Sequence, residues 1–282
     1  MSTIDLTPAS YRSAAEGAGD FDPAAPDRRS GSGMRRVLGM ARANALLLTR
    51  NRMTLAYALL LPLAPLAFLL AADRGSEAAG ISSIGQVVLL AALFPVYYNL
   101  LSLTVTRRDE LVLKRLRTGE ATDRDQLVSM ALPGVVTFGI VSLLGVGAAL
   151  ALGQPMPSNP VVLAVGLVVV AVTFAGLAFW TAAWTKNAEA AQLTSMPVLL
   201  VAIVGSLWQI LPERAHDVLA WTPGAAIDAI VRIGWFGQEV DGTAVSFTDS
   251  FVASAQPLAA LVAWAALAVV LTRRSMRWEP RG

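Results

Sequence analysis

The sequence contains no cysteine and a single histidine, His216. Without thiols it has no disulfide framework, thiolate metal site or cysteine nucleophile, and one imidazole is too few for an H-E-x-x-H zinc site. Neither a G-x-x-x-x-G-K-[ST] phosphate loop nor a G-x-S-x-G elbow occurs, so no loop of that kind cradles the phosphates of ATP. Charged residues occupy only 15% of the 282 positions, against about 25% in a soluble domain. The apolar stretches carry essentially no carboxylates, which argues against proton relays, transport coupled through buried charge, and acidic magnesium clusters. The chain is therefore expected to hold no catalytic residues, no metal and no cofactor of its own.

What is present is apolar length. Hydrophobic residues make up 55% of the chain and its mean hydropathy is +0.57. They pool into six runs, about 53–72, 83–105, 127–152, 161–185, 193–211 and 251–272. A helix needs about 20 apolar residues to cross roughly 30 Å of hydrocarbon. Pro62, Pro65 and Pro197 lie inside runs, which membrane helices tolerate when neighbours satisfy the freed carbonyls. The expected class is an all-α integral membrane protein with six transmembrane helices.

Residues 1–33 have no apolar run. They cannot act as a secretory signal peptide, and they bury too little to offset their ordering entropy, so a disordered tail is expected. Over 34–52 the pattern becomes amphipathic: Val37, Leu38, Ala41, Ala45 and Leu48 share one side, Arg35, Arg36, Arg42 and Arg50 another. A helix of this kind before a span lies in the headgroup layer; a cytosolic extension of the first span is the alternative.

Charge sets the orientation. With the N-terminus inside, nineteen of the 22 Lys and Arg fall on the inner side and only Arg74, Arg214 and Arg232 on the outer. This is the positive-inside bias, and it places both termini in the cytoplasm of a cell-membrane protein. The net charge of +2 thus reports membrane topology, not a nucleic-acid partner. The outer loop 212–250 includes an apolar stretch interrupted by Pro223, Gly224, Asp228 and Arg232, with Trp221 and Trp235 as interfacial residues. A pair of short re-entrant helices between spans five and six is expected; the alternative is an exposed extracytoplasmic subdomain.

Neutral polar residues in or beside the spans, among them Gln86, Tyr97, Asn99, Thr137 and Gln209, either line a translocation path or make interhelical hydrogen bonds. The inner loop TRRDELVLKRLRTGEATDRDQLVSMALP, residues 106–133, is denser in charge than a topogenic loop requires: six basic and five acidic side chains. Leu111, Leu113 and Leu116 give it apolar backing, Thr118-Gly119 breaks the helix, and Thr122 stands as N-cap of the next one. Such a knob is suited to docking a protein.

At these residues the chain resembles the permease subunits of type-2 ATP-binding-cassette (ABC) exporters. The resemblance spans about 34–278 and lies in Arg50-Asn51-Arg52, in R-R-D-E-L-V-L-K-R-L-R (107–117), in W-x-x-L-P (208–212) and in the long outer loop before span six. Glu110, Leu113, Arg115, Leu116 and Arg117 fit the family's loop pattern E-x-G-T-L-x-R-L-R-A-T-P; Leu111-Val112 and Gly119-Glu120 depart from it. The resemblance implies that the helix at 34–52 is a connecting helix on the inner membrane surface. It also implies that Arg107, Arg108, Glu110, Lys114, Arg115, Arg117, Glu120, Asp123, Arg124 and Asp125 form the surface that couples to a separate ATPase subunit, which binds ATP-Mg. A second permease subunit, identical or not, completes the pair, and a drug, antibiotic or lipid moves outward between them. The competing reading is a polytopic membrane sensor or binding protein without transport activity.

Overall fold

The computed structural model describes residues 29–50, 52–110 and 122–275. Most of the 1–33 segment and the loop 111–121 lie outside this range. Helix α1, Arg29–Arg50, is amphipathic and is described from five residues upstream of the expected start. Its buried residues Ala41 and Asn44 are three positions apart, hence on one face. That face packs on the first turns of α4, Asp123–Ala151, where Asn44 Nδ2 donates to the Ser129 carbonyl at 2.9 Å. The helix is thus held by protein.

Among the described residues, four helices are long and apolar enough to cross a membrane: α3 (Glu77–Asp109), α4, α5 (Pro160–Trp184) and α8 (Asp249–Ser275). The expected first and fifth spans are shorter, Leu55–Ala71 within α2 (52–71) and Ala190–Ser206, which is α6. At about 1.5 Å per residue each apolar stretch of 17 residues lies at the short end of what crosses the hydrocarbon layer. The reason for α2 is local: Pro62 and Pro65 lack the amide hydrogens an α-helix needs, and the chain tightens into a 3₁₀ turn at Ala64–Ala67 before one last turn, Phe68–Ala71. Downstream of α6 the chain likewise tightens into a 3₁₀ turn, Trp208–Ile210.

Helix α3 is the mast of the bundle, with 72% of its apolar stretch buried. Pro95 cannot donate to the helix ladder and its ring would crowd the preceding turn. The helix widens there into a π segment, Ala92–Tyr98, instead of breaking. Gly134 of α4 crosses at this point, where a Cβ would stand 2.4 Å from the Pro95 carbonyl oxygen. Helix α5 packs against α3 on one side and α8 on another; Thr173 Oγ1 donates across to the Leu261 carbonyl at 3.0 Å. The described residues form no sheet beyond an isolated bridge between Gln238 and Ala244.

The segment expected to dip into the outer leaflet does form two short helices, His216–Leu219 and Pro223–Val231, the second extended by a π turn, Arg232–Phe236. We call 223–236 helix α7. Every residue of Pro223–Val231 is buried, and the burial is against protein: α7 is wedged between α3, α5, α6 and α8. Gly224 permits this, since a Cβ there would lie 1.9 Å from the Ala202 carbonyl of α6. The far end is fixed by Trp235 Nε1 donating to the Pro155 carbonyl at 2.9 Å and by the amides of Ser158 and Asn159 donating to the carbonyls of Trp235 and Gly234.

The Gly134 crossing generates a paired test. Gly134→Ala should lower thermal stability by about 1–3 kcal/mol through overpacking against α3. Gly139→Ala, further along the same helix with nothing within 4 Å of its would-be Cβ, should be neutral or stabilising by up to about 1 kcal/mol. Thermal melts of the purified chain in nanodiscs distinguish the two; equal effects would mean that α3 and α4 do not cross at Pro95.

Candidate functional site

Two places combine polar side chains with a defined geometry, one at each end of the bundle. At the end where α3 stops and α4 starts, the ten loop residues separate into groups. Lys114, Arg115, Arg117 and Glu120 fall in 111–121, outside the described residues. Glu110 and Arg124 are exposed, as is the neighbouring Asp109, and Arg107, Asp123 and Asp125 are half-buried. Arg108 is different: it is 2% exposed.

The cause is the end of α5. The last turn of a helix leaves carbonyls with no intrahelical amide, and Arg108 reaches across to three carbonyls at this end. Its Nη1 donates to Ala182 at 2.9 Å, and its Nη2 donates to Thr185 and, at 3.1 Å, to Lys186. A cation suits this position because the carbonyl end of a helix carries partial negative charge. The Asp109 carboxylate lies 3.9 Å from Arg108 Nε. Arg108 therefore fastens α3 to α5. On the other side of the loop, Thr122 and Asp125 form a capping box, with Asp125 N donating to Thr122 Oγ1 at 3.2 Å and Thr122 N donating to Asp125 Oδ2 at 3.1 Å. That box starts α4, which is clamped to α1 through Asn44. The residues that flank 111–121 on both sides thus belong to packed helices.

The five path candidates do not share one surface. Tyr97 is fully buried, with its hydroxyl 3.1 Å from Thr181 Oγ1; it ties α3 to α5. Thr137 donates to the Pro133 carbonyl of its own helix at 2.9 Å and borders a groove between α1, α2 and α4. Asn99 borders a groove between α2 and α3 with Tyr57, Phe94 and Tyr98. Gln209 lies in the 3₁₀ turn after α6, its side chain outside those described. Among the described side chains of the five, Gln86 enters a polar cleft.

That cleft, about 460 Å³, lies between the start of α3, the end of α6 and the wedge α7. Asp228 and Arg232 face it from α7, one helical turn apart. Arg232 Nε donates to Asp228 Oδ2 at 2.9 Å, and the indole of Trp208 donates to the same oxygen at 3.2 Å. Trp208 in turn packs edge-on against His216, whose Nε2 is 2.9 Å from the Leu211 carbonyl. Gln86 Nε2 reaches Ser206 Oγ at 3.5 Å across the α3–α6 seam. Sequence reasoning treated Asp228 and Arg232 only as interruptions. Their i, i+4 spacing was the available signal; the Trp208 partner, 20 residues away, required the fold.

The chain matches no protein-family model, no curated protein and no solved structure. What its composition and fold define is a polytopic, mostly helical membrane protein with several helices of membrane-crossing length.

The buried guanidinium generates its own prediction. Arg108→Gln should strand carbonyls at the end of α5 and lower stability by about 2–4 kcal/mol, with Arg108→Lys intermediate because an ammonium lacks the planar fork. Thermal melts of both variants check this, and a neutral Arg108→Gln would rule out the α3–α5 tie.

Proposed function

We propose that this chain is the permease subunit of an ABC exporter, moving an amphipathic or hydrophobic compound (a drug, an antibiotic or a lipid) outward across the cytoplasmic membrane. A separate ATPase subunit supplies the energy, and a second permease subunit completes the path. The observation that carries the reading is the anchoring on both sides of the loop after α3. Arg108 secures the residues before it to the end of α5. The Thr122–Asp125 box secures the residues after it to α4, and Asn44 links α4 to α1. A force on 111–121 is delivered to four helices at once.

A coupling loop needs that property. Nucleotide binding and hydrolysis occur on the partner; what crosses to this chain is displacement. Displacement does work only if the receiving element is stiff and has two arrangements that the partner favours differently. The basic residues Lys114, Arg115 and Arg117, flanked by Glu110 and Glu120, meet the ATPase. The helix at 29–50 runs beside the inner membrane surface as the connecting helix, and the outer end, closed by α7, opens for release. Chemistry within this chain has no part in the cycle.

The polar cleft is the one observation that favours a second reading, a membrane receptor that binds a ligand outside and signals inside. Replacing Arg115 and Arg117 by Glu separates the two. In membranes containing the ATPase, the exporter reading predicts normal insertion with export reduced about tenfold or more, as expected when like-charge contacts replace a docking interface. Undiminished export would contradict it, as would ATP hydrolysis by the purified permease alone. Orientation is tested with single cysteines, since the chain has none of its own. Asp217→Cys should react with an impermeant maleimide in intact cells and Asp123→Cys only after permeabilisation; the opposite pattern would invert the protein.

A further inference from the structure

The cleft at the α7 end has an unusual distribution of hydrogen-bonding capacity. The Asp228 carboxylate is engaged: its Oδ2 receives both the Nε of Arg232 and the indole N–H of Trp208. Among the described residues the guanidinium is engaged along its Nε edge. Its two Nη groups, on a side chain 13% exposed, donate to none of the described residues, although they belong to a residue that lines the cleft. Gln238 lines the same space and makes no side-chain hydrogen bond to a described residue, while Gln86 reaches only Ser206, at 3.5 Å.

A guanidinium carries five N–H donors in a rigid plane, and its outer pair matches the two oxygens of a carboxylate or phosphate. Asp228 holds this plane in place from behind, and the two glutamine amides add neutral donors. Ile81, Leu207 and Ile210 complete the lining with apolar surface. Glu77, also on the described lining, opposes an anion. It is exposed, so solvent and salt screen it, whereas a sheltered guanidinium is screened less. Asp228 and Arg232 offset each other in charge, so what the cleft offers an anion is the directed Nη pair and not a surplus of positive charge.

We propose that this cleft binds the oxyanion head, carboxylate or phosphate, of an amphipathic compound, with the Nη pair of Arg232 as the charged anchor and the apolar lining taking the start of the tail. The proposal deepens the exporter reading by assigning a class of cargo, and rests on it for calling the ligand a cargo. The binding itself requires no ATPase.

The test uses the full chain in nanodiscs with Ser82→Cys, an exposed position on the cleft lining, as the sole thiol. Laurate and dodecyl phosphate are the anionic probes; dodecyltrimethylammonium and dodecyl maltoside share the tail but not the charge. Laurate, dodecyl phosphate or both should slow maleimide labelling of the introduced thiol, and the comparison between them tells which oxyanion fits. The cationic and neutral probes should leave labelling unchanged. Arg232→Gln should weaken protection about tenfold or more, as for loss of a charge-assisted bidentate pair. Because that variant also disturbs Asp228, Glu77→Gln provides an independent reading on an exposed residue: removing its negative charge should strengthen anion protection. Protection by the ammonium probe, or anion protection indifferent to both variants, would overturn the proposal. Failure here with export intact leaves the exporter reading standing and removes only the assigned cargo class; loss of export with anion binding intact does the reverse.

Discussion

One side chain satisfies what the end of α5 leaves open. In a water-poor environment an unpaired carbonyl is costly, and α5 stops with the carbonyls of Ala182, Thr185 and Lys186 facing α3. Arg108 meets all three. The same bonds that complete α5 also fasten the last turn of α3, immediately before residues 111–121. Helix capping and mechanical linkage are here a single interaction, and the proposed coupling depends on it.

The two ends of the bundle solve the polar-group problem differently. At the Arg108 end the cation is consumed: two of its nitrogens serve backbone acceptors, and it is shut away from solvent. At the α7 end the cation is only partly used. Asp228 and Trp208 hold Arg232 in register while its terminal nitrogens border a cleft. The first arrangement ties two helices together; the second leaves donors bordering a cleft. Between them, α3 continues as one long element because its Pro95 is absorbed in a π turn, so both features sit on or beside a single helix.

Much of this was legible from residue order. Apolar runs mark α3, α4, α5 and α8, since about twenty greasy residues in a row have few soluble alternatives. Thr122 and Asp125 announce the start of α4 because a capping box is local. Other features were not legible. Pro62 and Pro65 could be seen, but whether a proline bends, tightens or breaks a helix depends on what packs beside it. Arg108 sits among charged neighbours and reads as one more loop cation; only the arrival of the α5 terminus, 74 positions away at Ala182, buries it. The wedge α7 was read as a membrane-dipping hairpin because an apolar helix fits lipid and protein equally well. That Gly224 would meet the Ala202 carbonyl of α6 could be seen only in the fold.

The claim that the start of the loop and the end of α5 form one body is tested by spin labels at Glu110→Cys and Asn187→Cys, both exposed positions. Their separation is read by pulsed electron paramagnetic resonance, with the ATPase bound, in nucleotide-free and ATP-trapped states. A single, unchanged distance in both states is predicted. A distance that shifts or broadens with nucleotide would show that the Arg108 tie yields, and the coupling account would fail with it.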